Sequence, residues 1–385
     1  MMNKNKILFL LFLIIIVAAA YILIFTGTEE NLQPAISVSK AMSSSRDSGY
    51  AKAIESREFT FPDDHGPHND FKLEWWYFTG NLISDDGRLF GYQFTIFRSA
   101  LNPVKSSIKS ELAANQLYFA HFGITDIAGD RHYSFEKFAR GADGLAGAAG
   151  NPLSINVENW AIKGKYVNQD SSIPQINIKA VNNGISLDIT LNPKKGVVLH
   201  GNKGLSRKSN EEGIASYYYS LTRLRTDGII KLHGVNYKIS GNSWMDREWS
   251  TSTLSKNQTG WDWFSIQLDD TTELMFFRLR DTLNKTDFSR GTYVFADGSY
   301  ESINPDDIIF RVIDSNKLKN GSVYPSKWSI KLMKYGLELK AETQIPEQEM
   351  KLSVKYYEGS IKVTGRKKDK KVSGFGYVEL TGYTD

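Results

Sequence analysis

Hydrophobic and polar positions alternate along most of the chain and hardly ever recur at helical spacing. Leu73-Glu74-Trp75-Trp76-Tyr77-Phe78 is the clearest case: aromatic residues suit a pleated, half-buried surface, so the stretch predicts a strand. A period of two puts Glu74, Trp76 and Phe78 on one face and Trp75, Tyr77 and Thr79 on the other. The strand Arg88 to Arg98 follows Ser84-Asp85-Asp86-Gly87, and Asp-Gly between alternating runs signals a hairpin. The device recurs at Thr226-Asp227-Gly228 after the Tyr217 to Arg225 strand, at Asp269-Asp270, and at Ala296-Asp297-Gly298. Many short strands at even spacing predict an all-β protein of antiparallel barrels or sandwiches. Gly141 to Asn151, rich in Gly and Ala, is expected to be a loop or a short helical turn.

The N-terminus breaks this pattern. Ile7 to Phe25 carries no charge and follows Lys4 and Lys6, which predicts a membrane-spanning signal anchor with the remainder exported. In the rival reading, a cleaved signal peptide, the cut could fall only at Ala18-Ala19-Ala20, inside the apolar run. Residues 26–57 are small and polar and read as a flexible linker. The length of 385 residues predicts two further domains, 58–236 and 237–385, divided near Lys231 to Tyr237.

Composition then removes several chemistries. With no cysteine there is no disulfide, no acylated lipoprotein, no zinc-thiolate site and no cysteine nucleophile. A net charge of +4 is small for this length, and the one basic cluster, Arg366 to Lys371, suits a solvated hairpin turn. Nucleic acid is therefore not an expected partner. No Gly-x-Ser-x-Gly elbow, phosphate loop or dinucleotide fingerprint occurs, and neither a cofactor nor a metal is expected.

Five features could carry chemistry. Glu74, in line with two large rings, is either a buried ion-pair partner or an acid of raised pKa. Just before it, Asp63, Asp64, His65, His68 and Asp70 form a loop that could chelate a metal, serve acid–base work through a His such as His65, or simply bond to its own backbone. In Trp244-Met245-Asp246-Arg247-Glu248-Trp249, Asp246 and Glu248 share one strand face and Arg247 and Trp249 the other. The two acids are either a functional pair or one side of a cross-strand ladder to Arg278 and Arg280. Trp261-Asp262-Trp263 again sets a carboxylate in apolar company, as a pocket wall or a packed core would. Alone among these, His121 is either a satisfied buried imidazole or a proton-transfer group.

FPDDHGPHNDFKLEWWYFTGNL, YFAHFGITD, FARGADGLAGAAG, YYYSLTRL, GNSWMDREWS and GWDWFSIQL together resemble the AttH and carotenoid 1,2-hydratase family, from about Glu58 to the C-terminus. The resemblance implies two tandem lipocalin-like antiparallel β-barrels. Members are described as secreted hydrolases or as companions of an ABC-transporter permease, and the hydratase branch adds water to an isoprenoid double bond without a cofactor. Where that branch carries a His, this chain has Arg247 and Glu248, so a hydration would need Asp246, Glu248 or Asp262 as its acid. The expected function is an exported, membrane-anchored protein that binds a hydrophobic, lipid or isoprenoid-like ligand at the cell envelope; the alternative is a hydratase or hydrolase. Candidate catalytic residues are Glu74, His65, Asp246, Glu248 and Asp262, and candidate ligand contacts are Trp75, Trp76, Tyr77, His121, Trp244, Arg247, Trp249, Trp261, Trp263 and Arg278.

Overall fold

In the computed structural model, residues 48–103, 115–166 and 172–383 are described. The expected anchor and most of the linker lie outside them. Strand follows strand: β1 (Leu73–Ser84), β2 (Leu89–Ala100), β3 (Gln116–Asp126), β4 (Arg131–Arg140), β5 (Ala146–Gly150), β6 (Leu153–Val157), β7 (Trp160–Lys165), β8 (Gln175–Asn182), β9 (Ile185–Pro193), β10 (Val198–Leu199), β11 (Leu205–Arg207), β12 (Ala215–Leu232) and β13 (Val235–Ser252). Among the described residues these make one antiparallel sheet in the order β4-β3-β2-β1-β13-β12-β9-β8-β7-β6-β5, with β10 and β11 on β12.

The second sheet holds β14 (Gln258–Leu268), β15 (Glu273–Asp281), β16 (Thr286–Val294), β17 (Tyr300–Ile303), β18 (Ile308–Lys317), β19 (Val323–Leu332), β20 (Leu337–Thr343), β21 (Glu349–Lys351), β22 (Lys355–Lys367) and β23 (Lys370–Leu380). Its order is β17-β16-β15-β14-β23-β22-β20-β19-β18, with β21 on β22. Each sheet curls around its own core, Trp76, Phe94 and Trp160 in the first and Phe264, Trp328 and Tyr357 in the second. This is the expected all-β, lipocalin-like architecture.

Three local expectations are corrected. The boundary at 236/237 falls inside the first sheet, because His233 and Gly234 take positive φ in a tight turn that pairs β13 back onto β12; the second sheet starts only at Gln258. Thr226-Asp227-Gly228 is not a turn but mid-strand: a Cβ on Gly228 would lie 2.2 Å from the Asp188 carbonyl of β9, so glycine serves close backbone approach there. Within the Gly/Ala-rich stretch, 141–145 is a turn as expected, but Ala146–Gly150 forms β5 and pairs with β6. The described end of the linker is also docked, with Ala53 buried, Ala51 N donating to Asp70 O at 2.9 Å, and Tyr217 Oη to Glu55 O at 2.8 Å.

Candidate active site

The outer face of the first sheet meets the second sheet, and between them opens a cavity of about 790 Å³ including its open mouth. Trp75, Tyr77 and Phe97 come from β1 and β2, Tyr218, Asp246 and Glu248 from β12 and β13, and Trp261, Trp263, Phe277 and Leu279 from β14 and β15. Tyr356, Glu358 and Glu379 arrive from β22 and β23. The period-two alternation explains which side chains reach it. Trp75 and Tyr77 face the cavity while Trp76 and Phe78 enter the first core, and Asp246 and Glu248 face it while Arg247 and Trp249 point away.

Its acids are held mostly in the neutral form. Burial pushes Asp246 up to about 7, although Ser220 Oγ, Tyr218 Oη (2.6 Å) and Trp244 Nε1 (2.6 Å) all donate to it and pull the other way. Burial pushes Glu379 up to about 8; Trp261 Nε1 donates to it at 3.0 Å, and the nearby Asp246 and Glu248 add to the rise. Glu358 is raised well above the usual carboxylate range by burial and by Glu379, despite a 2.8 Å bond from Tyr77 Oη to its Oε2. Its Oε1 is buried without a hydrogen-bond partner. Lys208 Nζ lies 2.7 Å from Glu248, and Ser216 Oγ donates to the same carboxylate. That lysine also sits 4.5 Å from the Phe277 ring centre. Behind Asp246, His200 Nε2 is 2.6 Å from Ser220 Oγ, and burial holds this imidazole neutral at a pKa of about 3.

Several expected site residues lie elsewhere. Glu74 faces away from the cavity, fully buried between Arg98 and Arg247. Burial alone would raise its pKa, but Arg247, Arg98 and His68 outweigh that and hold it well below the usual range, so it is an ion-pair partner and not an acid. Arg247 and Trp249 belong to the same group: the Arg247 guanidinium lies over Trp76 at 4.1 Å, and His68 stacks on Trp249 at 3.7 Å. His65 packs against Tyr219, its Nδ1 2.5 Å from the phenol oxygen and its Nε2 2.9 Å from Ser172 O. No group of three or more potential metal ligands exists among the described residues.

The ladder from Asp246 and Glu248 to Arg278 and Arg280 does not form. Both arginines hold Asp262 instead, at 2.7 and 3.0 Å, since β14 and β15 are neighbours and their register sets Asp262 opposite Arg278. Asp262 and Arg278 thus leave the list of cavity groups. Trp244 braces from behind, edge-on to Trp263 and bonded to Asp246. His121 sits at the border: its Nδ1 is 2.7 Å from the hydroxyl of the cavity residue Tyr356, and burial depresses its pKa to about 3.

Sequence reasoning missed Lys208, Tyr218, Tyr356, Glu358 and Glu379. YYEGS and YVEL do carry an acid within a strand pattern, the same signal that drew attention to Asp262, but the partners that mark them, Tyr77 for Glu358 and Trp261 for Glu379, lie far away in the chain.

A model of the AttH-like family matches residues 52–383. The chain is similar to a crystal structure of an AttH from Nitrosomonas europaea, with a TM-score of 0.76 and 31% identity over 87% of this chain and 100% of that one. It is 23% identical over 219 residues to kievitone hydratase of Fusarium solani subsp. phaseoli, a match over 54% of this chain and only 60% of that curated relative's length. The crystal structure of kievitone hydratase from Nectria haematococca shares the fold, with a TM-score of 0.64 and 17% identity over 87% of this chain and 98% of that one.

Proposed function

Because the chain belongs to the AttH-like family and has a hydratase-like lipocalin fold, we propose that it is a cofactor-free hydratase, adding water across an alkene of a hydrophobic, isoprenoid-like ligand. One observation carries the reading: Glu358, a buried carboxyl kept neutral, lines an aromatic cavity and has one oxygen without a hydrogen-bond partner. Alkene hydration begins with protonation of carbon, and a neutral carboxylic acid in a dry site is a competent donor. In this mechanism Glu358 Oε1–H gives its proton to the less substituted alkene carbon, leaving a cation on the more substituted one. The faces of Trp75, Trp261, Trp263 and Phe277 stabilise that charge. Water adds to the cation, and the proton it sheds passes to the Glu358 carboxylate directly or by way of Asp246, so the acid is regenerated. Tyr77 fixes the Glu358 carboxyl, and Asp246, of pKa about 7, can accept a proton near neutrality. Anchoring by residues 7–25 and work beside an ABC-transporter permease belong to the same proposal and rest on the sequence alone.

The test incubates full-length protein with prenylated phenols and linear isoprenoid alkenes in oxygen-18 water, with Glu358→Gln alongside. A tertiary alcohol bearing one labelled oxygen, formed by the wild type alone, is expected. A ligand that binds and returns unchanged would make the protein a carrier and overturn the enzymatic reading.

A further inference from the structure

Tyr77, Thr95, His121 and Glu136 lie directly opposite one another across β1 to β4, on the outer face of the first sheet. The second sheet covers this row: Tyr77 bonds Glu358, His121 bonds Tyr356, and Glu136 accepts from Ser353 N and Oγ at 3.0 and 2.7 Å. Two residues along each strand, on the same face, runs a second row of opposed residues: Trp75, Phe97, Phe119 and Phe138. Two residues of strand is about 7 Å, so the second row runs alongside the edge of the covering chain.

These rings form an unbroken file. Centroids are 6.4 Å apart from Trp75 to Phe97, 4.5 Å from Phe97 to Phe119 in a stack, and 6.0 Å from Phe119 to Phe138. Trp75 and Phe97 line the cavity, Phe119 is half-buried, and Phe138 is 49% exposed. The solvated face of an antiparallel sheet is ordinarily polar, and a contiguous apolar patch there marks a binding surface.

We propose that this file is the floor of a groove, walled by Ser353 to Glu358, which takes the linear apolar tail of the ligand whose reactive end occupies the cavity. The inference rests on the reading that the cavity holds a hydrophobic ligand, and it adds that the ligand is long. The file is one ring wide and opens from the cavity, which suits a chain molecule; a bilayer or a protein partner would need a broad patch. Three strand spacings give it a length of about 14 Å beyond Trp75. The row beyond it, Leu73, Ser99, Leu117 and Arg140, is mixed in polarity.

The experiment titrates full-length protein with geraniol, farnesol and geranylgeraniol, following quenching of tryptophan fluorescence, in the wild type and in a Phe119→Ser, Phe138→Ser double variant. Affinity is expected to rise with chain length in the wild type. The double variant should lose about tenfold or more for geranylgeraniol, the worth of two lost apolar contacts, and keep its affinity for geraniol. Phe138→Ser alone, at a half-exposed position, should show the same selective loss in smaller measure and serves if the double variant fails to fold. Equal affinities in variant and wild type at every length, or an equal loss at every length in a folded variant, would overturn the groove while leaving the cavity reading in place. A wild type that binds none of the three would overturn both.

Discussion

Tyr77 Oη donates to Glu358 Oε2 at 2.8 Å across the junction of the two sheets, leaving Glu358 Oε1 as a buried oxygen without a partner. A residue of β1 thus orients an acid of β22, and neither sheet alone supplies the pair.

Glu358→Gln should remove the transferable proton while keeping the Tyr77 bond and the side-chain volume. Turnover is expected to fall by about 10² to 10⁴, the usual worth of a positioned general acid, with the melting temperature nearly unchanged. Initial rates beside a thermal melt check it; a variant retaining half the wild-type rate would remove Glu358 from the mechanism.

The buried acids predict a stability that falls with alkaline pH. Asp246 and Glu379 have folded pKa values of about 7 and about 8, raised from the usual range. Above that range the unfolded chain carries them as carboxylates while the fold keeps them protonated. The folded state therefore binds more protons, and unfolding becomes easier as pH rises through 7 and 8. Between about pH 7 and 8.5 the loss should be about 2 kcal/mol, and Glu379→Gln should flatten the slope. The buried imidazoles of His65, His121 and His200, with pKa values depressed to about 3 or 4, act with the opposite sign in the acid range. Denaturant melts across that window decide the matter.

Tyr218 accepts from Trp263 Nε1 at 3.0 Å and donates to Asp246. Its bond lowers the Asp246 pKa, so Tyr218→Phe should raise that pKa above about 7. If Asp246 takes the proton shed by water, the limb of the pH–rate profile that it governs should move to higher pH by up to about one unit. An unmoved profile in an active, folded variant would exclude Asp246 from proton transfer.

Glu74→Gln should damage the fold and not the chemistry. The substitution leaves Arg98 and Arg247 buried without their counter-charge, at a cost of roughly 3 to 5 kcal/mol. Urea unfolding measures it directly, and a loss below about 1 kcal/mol would show that water or His68 compensates.

The faces of individual strands were legible from residue alternation. That Asp246 and Glu248 turn one way and Arg247 and Trp249 the other follows from period two alone, and so does the split between Trp75 and Trp76. Partnership was not legible, because it depends on which strands become neighbours. Arg278 and Arg280 could equally have served Asp246 and Glu248; the register of β14 on β15 gave them to Asp262. Glu358 and Glu379 look like ordinary strand acids until β22 and β23 are set against β1 and β14. The domain boundary was misplaced for a related reason: the segment with Asp246 and Glu248, assigned to the second domain, belongs to β13, the strand between β1 and β12 in the first sheet.

The contacts Tyr77–Glu358, His121–Tyr356 and Glu136–Ser353 share one row of the first sheet. Side chains on a strand face recur only every second residue, about 7 Å apart, so no intermediate offset of the two halves satisfies any of the three. Their alignment works like a rack and pinion, engaged or a full tooth out. Substitutions that loosen this engagement are therefore expected to abolish the pocket in a single step, rather than widen it by degrees.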